Sequence, residues 1–418
     1  MYYRCTSLWL VLVCAIAPMA ARTHAAGPLT LAQAVQRSVD SSPAMAAETL
    51  GQDAAGARAR REAMSPPWFL VADVENFAGS GSLSGMDSAE TTLRLGRVIE
   101  LGGKRAAREA MGEADLAHVH LQIELARLRI AAIATTRFIE VLADQQRVRL
   151  ADQQVELAQR ARAEVARWVE AARNPETDLH TAELDLADAE LEREHAEHEL
   201  ASARVTLAST WGALSADFDT AAGSLTDLPE APPLDALTKR LPETAAVRGL
   251  VLEAQATAAR RELARANSSP DLTMNVGVRR LEAFEDHGLV LSLSMPLGSR
   301  SRAELSMTEA DAQVAATGRR REASLADTHQ ALFQKYQELL HARGEHDALR
   351  GSMLPKAERA LSLAQRGFDS GRFSFAALTQ AQRTMHALRK RDVDAAVRYH
   401  TLLVEVELLT AIIPESAP

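Results

Sequence analysis

The chain has 418 residues, 47% of them hydrophobic, 4% aromatic and 25% charged, with a formal net charge of −9. The apolar fraction excludes a disordered chain, and the acidic balance without a basic block interleaved with aromatics excludes a nucleic-acid-binding protein. So few aromatics beside abundant Ala, Leu, Glu, Arg and Gln point to long helices, in two ordinary domains or one elongated one.

At the N-terminus, Arg4 precedes an apolar run from Leu8 to Ala17, and Thr23-His24-Ala25-Ala26 offers a small-residue cleavage site. The run is shorter than the ~20 residues of a membrane-spanning helix, so residues 1–26 read as a cleaved secretory signal peptide. Both cysteines, Cys5 and Cys14, lie within it, and Val11-Leu12-Val13 lacks the small residues that lipid attachment at Cys14 needs. The exported remainder has no disulfide, thiolate metal site or Cys nucleophile. Without Arg4 and Arg22 its net charge is −11.

Beyond the leader the same order of features occurs twice. Residues 27–227 form the first repeat. An amphipathic stretch from Leu29 to Met64 meets Pro66-Pro67, strands follow at about 68–78 and 89–99, and a long helical tract turns at a tip near 173–178. Leu228-Pro229-Glu230-Ala231-Pro232-Pro233 reads as a linker over 228–233. Residues 234–418 form the second repeat. Leu241-Pro242 opens it, strands follow at about 270–281 and 287–297, and the helical hairpin has its tip near 367–374. The strand-opening prolines, Pro67 and Pro270, are about 200 residues apart.

From Glu113 to Trp211 there is no glycine and one proline, Pro175. Leu116, Val119, Ile123, Ala126, Ile130 and Ile133 alternate spacings of three and four, a coiled-coil seam that slips at Phe138, Val141 and Val148. A helix from Lys104 to Ala172 would be about 100 Å long at 1.5 Å per residue. Asn174 suits an N-cap, Pro175 the first helical position, and Glu176 and Asp178 the positive end of the macrodipole, giving an αα-hairpin. In the second repeat Gly371 makes the turn, Ser374 caps the returning helix, and Pro355 breaks or restarts the helix before that tip.

The strand segments alternate. Leu272, Met274, Val276 and Val278 share one face, as do Leu289, Leu291, Leu293 and Met295; Leu93 and Leu95 alternate with polar neighbours. The segment from Trp68 to Phe77 carries apolar residues on both faces. Each is near the ten residues of a tilted strand crossing a bilayer, with hairpin loops at 79–88 and 285–288. Such strands could also pack on a soluble core, but no element with a wide apolar face is left to cover them. Four strands cannot close a barrel, and an open edge in hydrocarbon leaves backbone groups unpaired. Several copies must then share one barrel, with the 116–133 seam buried between neighbours. Trp68, Phe77 and Phe284 are placed at the membrane interfaces.

Catalytic patterns are absent: there is no G-x-S-x-G, H-E-x-x-H or phosphate-cradling loop, and no cofactor is implied. Gly102-Gly103-Lys104 reads as a bend between strand and helix. His195 and His198 share a helix face beside Glu194, Glu197 and Glu199, yet two histidines make an incomplete metal site. His118, His120, His341 and His346 read as ordinary helix residues. A conduit in any case needs easy release, not a tight site.

Over nearly its whole exported length the sequence resembles the TolC-type outer-membrane efflux family, nearest its CzcC-like heavy-metal cation branch. The residues that carry this are Val74-Glu75-Asn76-Phe77-Ala78-Gly79, Ile99-Glu100-Leu101-Gly102-Gly103-Lys104-Arg105, Pro270-Asp271-Leu272-Thr273 with Gly277-Val278-Arg279, and Ser294-Met295-Pro296-Leu297. The resemblance implies a non-enzymatic homotrimer: a twelve-stranded barrel in the outer membrane of a Gram-negative-type cell, continued by a periplasmic α-barrel. It also implies tips that dock on a periplasmic membrane-fusion adaptor bound to an inner-membrane pump of the resistance-nodulation-division type. Glu170, Arg173, Asn174 and Asp178, with Asp369, Gly371, Arg372 and Ser374, would form the adaptor-facing rim. The sequence departs from the family at Ala172, where a glycine is usual, at Ala377 and Gln380, where some relatives carry aspartates, and at Gly298-Ser299-Arg300-Ser301. The expected function is a passive efflux channel, for heavy-metal cations in the first reading. The alternatives are a channel for drug or protein export and, in another class, a periplasmic coiled-coil adaptor or scaffold.

Overall fold

A computed structural model describes residues 27–413; the signal peptide expected at residues 1–26 lies outside the described residues. A two-residue strand, β1 (Leu29–Thr30), leads into α1 (Leu31–Ser41). Thr30 accepts from the Gln33 amide and the Gln33 side chain accepts from the Thr30 amide at 3.0 Å, a reciprocal capping box. Pro43 then starts α2 (Pro43–Ala63), so the single amphipathic stretch expected there is two helices broken at Ser42.

Strands β2 (Trp68–Glu75) and β3 (Glu90–Ile99) follow, then α3 (Lys104–Glu170), α4 (Glu176–Ser209) and β4 (Ala221–Ala222), which pairs in parallel with β1. The next elements are α5 (Leu234–Arg240), α6 (Ala245–Ala266), β5 (Leu272–Leu281), β6 (Asp286–Ser294) and α7 (Ser299–Ala348). A π-helical turn at Leu349–Met353 joins α7 to α8 (Leu354–Asp369), and α9 (Phe375–Leu409) returns. Pro355 sits in the first turn of α8, where its missing N–H falls at a point where the ladder is already being reset.

Several boundaries differ from the sequence expectation. Strand β2 stops at Glu75 rather than 78, because Asn76 and Ala78 take left-handed conformations at φ 57° and 56°. Strand β6 stops at Ser294 rather than 297, just ahead of Pro296, so Met295 lies outside it. Strand β5 begins at Leu272, two residues after Pro270. At the first tip Pro175, not Asn174, holds the cap position, with extended ψ of 152°, and the helix starts at Glu176.

Helix α3 has 67 residues and spans about 100 Å. The 116–133 seam is closed within the chain only in part, Leu116, Val119 and Ile130 being half-buried. Ile123 and Ala126 are buried within the chain, Leu116 reaches Gly56 of α2, and Leu121 reaches Gly249 of α6. The seam slips earlier than expected: Ile133 is 52% exposed, and Ala134, Phe138 and Val141 take over the buried side. The largest apolar cluster among the described residues lies midway along α3, where Phe138, Val141 and Leu142 meet Leu200 and Leu207 of α4, Phe218, and Val393 and Ala396 of α9. Among the described residues no helix is long and apolar enough to cross a membrane.

Candidate functional site: a two-faced sheet and a helical tip

The two hairpins merge into one antiparallel sheet in the order β2-β3-β5-β6, leaving β2 and β6 as unpaired edges. Register then decides which side chains share a face. Leu70 lies opposite Leu95, Leu95 opposite Val276, and Val276 opposite Leu291; one step along, Leu93, Val278 and Leu289 line up. With Met274 and Leu293 these residues form one continuous apolar surface, and all of them are exposed, Leu289 to 89%. Leu272, paired with Ile99, is half-buried at its end.

The opposite face is polar. Arg94 pairs with Asp73, and Arg279 donates to Glu90 (2.7 Å), Glu75 (3.2 Å) and the Thr92 hydroxyl (2.9 Å). Phe69 and Val71, the apolar residues that blurred the alternation of β2, lie on this side. The Phe69 ring covers Gly96, where an added Cβ would collide with that ring and with the Asn275 side chain. Trp68 stands at the helix-proximal end of the sheet with Arg97 stacked on it at 5.2 Å. Phe77 and Phe284 stand at the distal end in the two hairpin connections, Phe284 73% exposed.

The strand-to-helix joints explain the motifs that flank them. Gly102 and Gly103 both have φ of 75°, and a Cβ at Gly102 would also meet the Ser269 side chain at 2.5 Å. The bend brings Lys104 to Asp271 (2.6 Å, Lys104 buried), tying the first repeat's helix to the second repeat's strand. Arg108 donates to Glu100 (2.8 Å) and to the Glu62 carbonyl (2.6 Å). Gly298 at φ 85° begins α7 in the same way.

At the far end the two helical turns meet. Trp168 stacks on Phe368 with ring centroids 4.4 Å apart, Phe375 lies 5.8 Å from Phe368, and Val165, Ala182 and Leu378 complete the cluster. The turns share one hydrogen-bond pattern. Ala172 donates to Val169 (2.9 Å) and Arg173 to Trp168 (2.8 Å); Gly371 donates to Phe368 (2.8 Å) and Arg372 to Gly367 (2.8 Å). Ala172 adopts the same left-handed conformation as Gly371, φ 52° against 68°. Around this rim Glu170, Arg173, Asp369, Gly371, Arg372 and Ser374 are exposed, and Asn174 and Asp178 are half-buried and joined to each other (2.8 Å). Ser374 caps α9 by accepting from the Ala377 amide (3.3 Å). Burial and the nearby Asp369 carboxylate hold the Glu164 carboxyl above its ordinary range.

His195 and His198 are not brought together with a ligand set. His195 borders a cavity of about 320 Å³ with Glu192, Glu199, His386 and Asp144, while His198 is exposed. Glu192 and Asp144 there are held by cations. Lys390 bonds Glu192 (2.9 Å) and draws its pKa down, and Arg147 holds Asp144 (2.7 Å), Glu140 (2.9 Å) and Asp394 (3.0 Å). Among the described residues no group of three or more His, Cys, Asp or Glu is arranged to hold a metal ion. His346, read as an ordinary helix residue, is buried against Asp392 (2.9 Å), which also meets Arg350 in the π-helical turn (3.2 Å). Forty-six residues and a full hairpin separate His346 from Asp392, so no local spacing could have disclosed the pair.

The model of the family described as "Outer membrane efflux protein" matches residues 240–411. The chain is 30% identical over 370 residues to the cobalt-zinc-cadmium resistance protein CzcC of Cupriavidus metallidurans, covering 88% of this chain and 86% of that protein. It is 31% identical over 307 residues to the nickel and cobalt resistance protein CnrC of the same organism, covering 71% and 69%. In fold it is similar to a membrane protein from Pseudomonas aeruginosa (TM-score 0.77, 16% identity, 91% and 90% coverage). It is also similar to the outer membrane protein VceC of Vibrio cholerae (TM-score 0.74, 15% identity, 91% and 96% coverage).

Proposed function

Because the chain belongs to the outer membrane efflux protein family and is a channel rather than an enzyme, we propose that three copies assemble into a passive conduit for heavy-metal cations. The observation that carries this reading is the two-faced sheet with two open edges. An exposed apolar face opposite an ion-paired polar one is the alternation of a membrane barrel, with lipid outside and water within. The free N–H and C=O groups of β2 and β6 cannot remain unpaired in hydrocarbon, so β6 of one copy pairs with β2 of the next. Three copies give twelve strands, wide enough for a water-filled lumen.

In this reading Leu93, Leu95, Leu272, Met274, Val276, Val278, Leu289, Leu291 and Leu293 face lipid, and Met295 marks the end of that band. Trp68, Phe77 and Phe284 sit at its two borders. The helices extend into the periplasm, and the rim from Glu170 to Asp178 and Asp369 to Ser374 receives a periplasmic adaptor. An inner-membrane pump of the resistance-nodulation-division type supplies the energy. The names of the two curated relatives support metal cations as cargo. Acids already neutralised by arginine or lysine suit passage without capture.

The test is a strain deleted for this chain and exposed to cobalt, zinc, cadmium or nickel. It should become sensitive to at least one of these ions and recover when the chain is restored. Unchanged metal tolerance together with sensitivity to drugs would move the cargo to organic compounds.

A further inference from the structure

At the junction of sheet and helices, on the apolar side of the sheet, lies a groove of about 660 Å³. Its wall toward the membrane is Leu95, Met274 and Val276, and its helix-proximal lip is Pro66, Trp68 and Ile99. Two guanidinium groups, from Arg97 and Arg105, border it. Arg97 shares the apolar face by register, opposite Met274 and Trp68, and stacks on the Trp68 ring at 5.2 Å. Arg105 donates its Nε to the Ala63 carbonyl (3.1 Å). Among the described residues neither has a carboxylate partner, in contrast to the neighbouring cations: Lys104 is held by Asp271 and Arg108 by Glu100. Glu100, which also borders the groove, is committed to Arg108.

An arginine placed among leucine, valine and methionine on an otherwise apolar surface is costly unless its charge meets a counter-ion at the edge of the hydrocarbon. The groove offers such a ligand both of its requirements. The apolar wall continues without a break into the exposed stripe of the sheet, and the two unpaired guanidiniums match a phosphate oxygen fork. We propose that this groove binds an anionic phospholipid of the periplasmic leaflet. Its phosphate is held between Arg97 and Arg105, its headgroup lies against Trp68, and its acyl chains run along Leu95, Met274 and Val276. The inference rests on the membrane reading above and deepens it, by assigning a specific lipid to one place on the barrel wall.

The test is native mass spectrometry of the detergent-purified full chain, titrated with phosphatidylglycerol, with diacylglycerol and with inorganic phosphate. The proteins compared are the natural chain and the R97Q/R105Q double variant. The inference expects a phosphatidylglycerol adduct on the natural chain, weakened about tenfold or more in the double variant, as loss of charge-assisted contacts implies. Diacylglycerol and phosphate should both bind weakly. Equal retention of diacylglycerol, or of phosphatidylglycerol by the double variant, would overturn the headgroup assignment. Phosphate binding as tight as the lipid would reduce the site to a free-anion site and overturn it too. Fractionation separates this from failure of the premise: both proteins in the membrane with unaltered lipid retention sinks only the lipid site, whereas a natural chain absent from the membrane sinks the channel reading beneath it.

Discussion

The sheet and the helical tube use the same amino acids to opposite ends. In the tube, apolar side chains turn inward, as where Phe138, Val141 and Leu207 meet and again where Trp168 stacks on Phe368. In the sheet, Leu95, Val276 and Leu291 turn outward, while Arg94, Arg279 and their carboxylates turn to the other side. A region that buries its apolar surface within the chain is held by its own contacts. A region that displays that surface needs something outside the chain to cover it, which the channel proposed above supplies as lipid and further copies of the same sheet.

Breaking each region from within should give different outcomes, and the largest belongs to the tube. Phe138→Ala would empty the centre of the cluster where α3, α4 and α9 meet, at a cost of about 3–5 kcal/mol read as lower thermal stability of the helices. Next is the sheet. Leu291→Arg should cost about 2–4 kcal/mol near the bilayer centre and lower the yield of assembled, heat-resistant trimers. The same change at Leu184, exposed on α4, should leave assembly as it was.

The two tips allow a finer comparison. Gly371→Val forces a β-branched residue into φ 68°, at a cost of about 2 kcal/mol, and should abolish metal resistance while trimers remain in the membrane. Normal export by that variant would remove the tip from the adaptor contact. Ala172→Gly, by relaxing a left-handed alanine, should instead raise stability by up to about 1 kcal/mol. The smallest effect is electrostatic. Glu164 has its pKa raised in the folded tip, so its contribution is fully present below the ordinary carboxylate range and is lost as pH rises through the folded value. Glu164→Gln should stabilise the tip at neutral pH by no more than about 0.5 kcal/mol and bring no gain in acid, as pH-dependent melting would show.

What the sequence disclosed follows the range of each interaction. Long helices, strand alternation and the glycine turn at the second tip are local, set by periods of 3.6 and 2 and by φ preferences, and they could be read within a few residues. The mates of those elements could not. The seam of α3 has the spacing of an interface between copies, yet Ile123 and Ala126 are buried within the chain and Leu116 meets α2. Nothing near Lys104 announces Asp271, and nothing near His346 announces Asp392. Strand ends were missed where Asn76 and Ala78 take left-handed turns with no glycine to announce them.

The outward-facing stripe can be probed directly, because the described chain has no cysteine. Single cysteines at 276 and 291 on the apolar face, and at 292 on the polar face, would be challenged in membranes with a lipid-soluble and a water-soluble thiol reagent. Positions 276 and 291 should react from the lipid phase alone and position 292 from water alone. Water-phase labelling of 276 and 291, or no labelling of either by the lipid-soluble reagent, would contradict a sheet that stands in the bilayer as part of a shared pore wall.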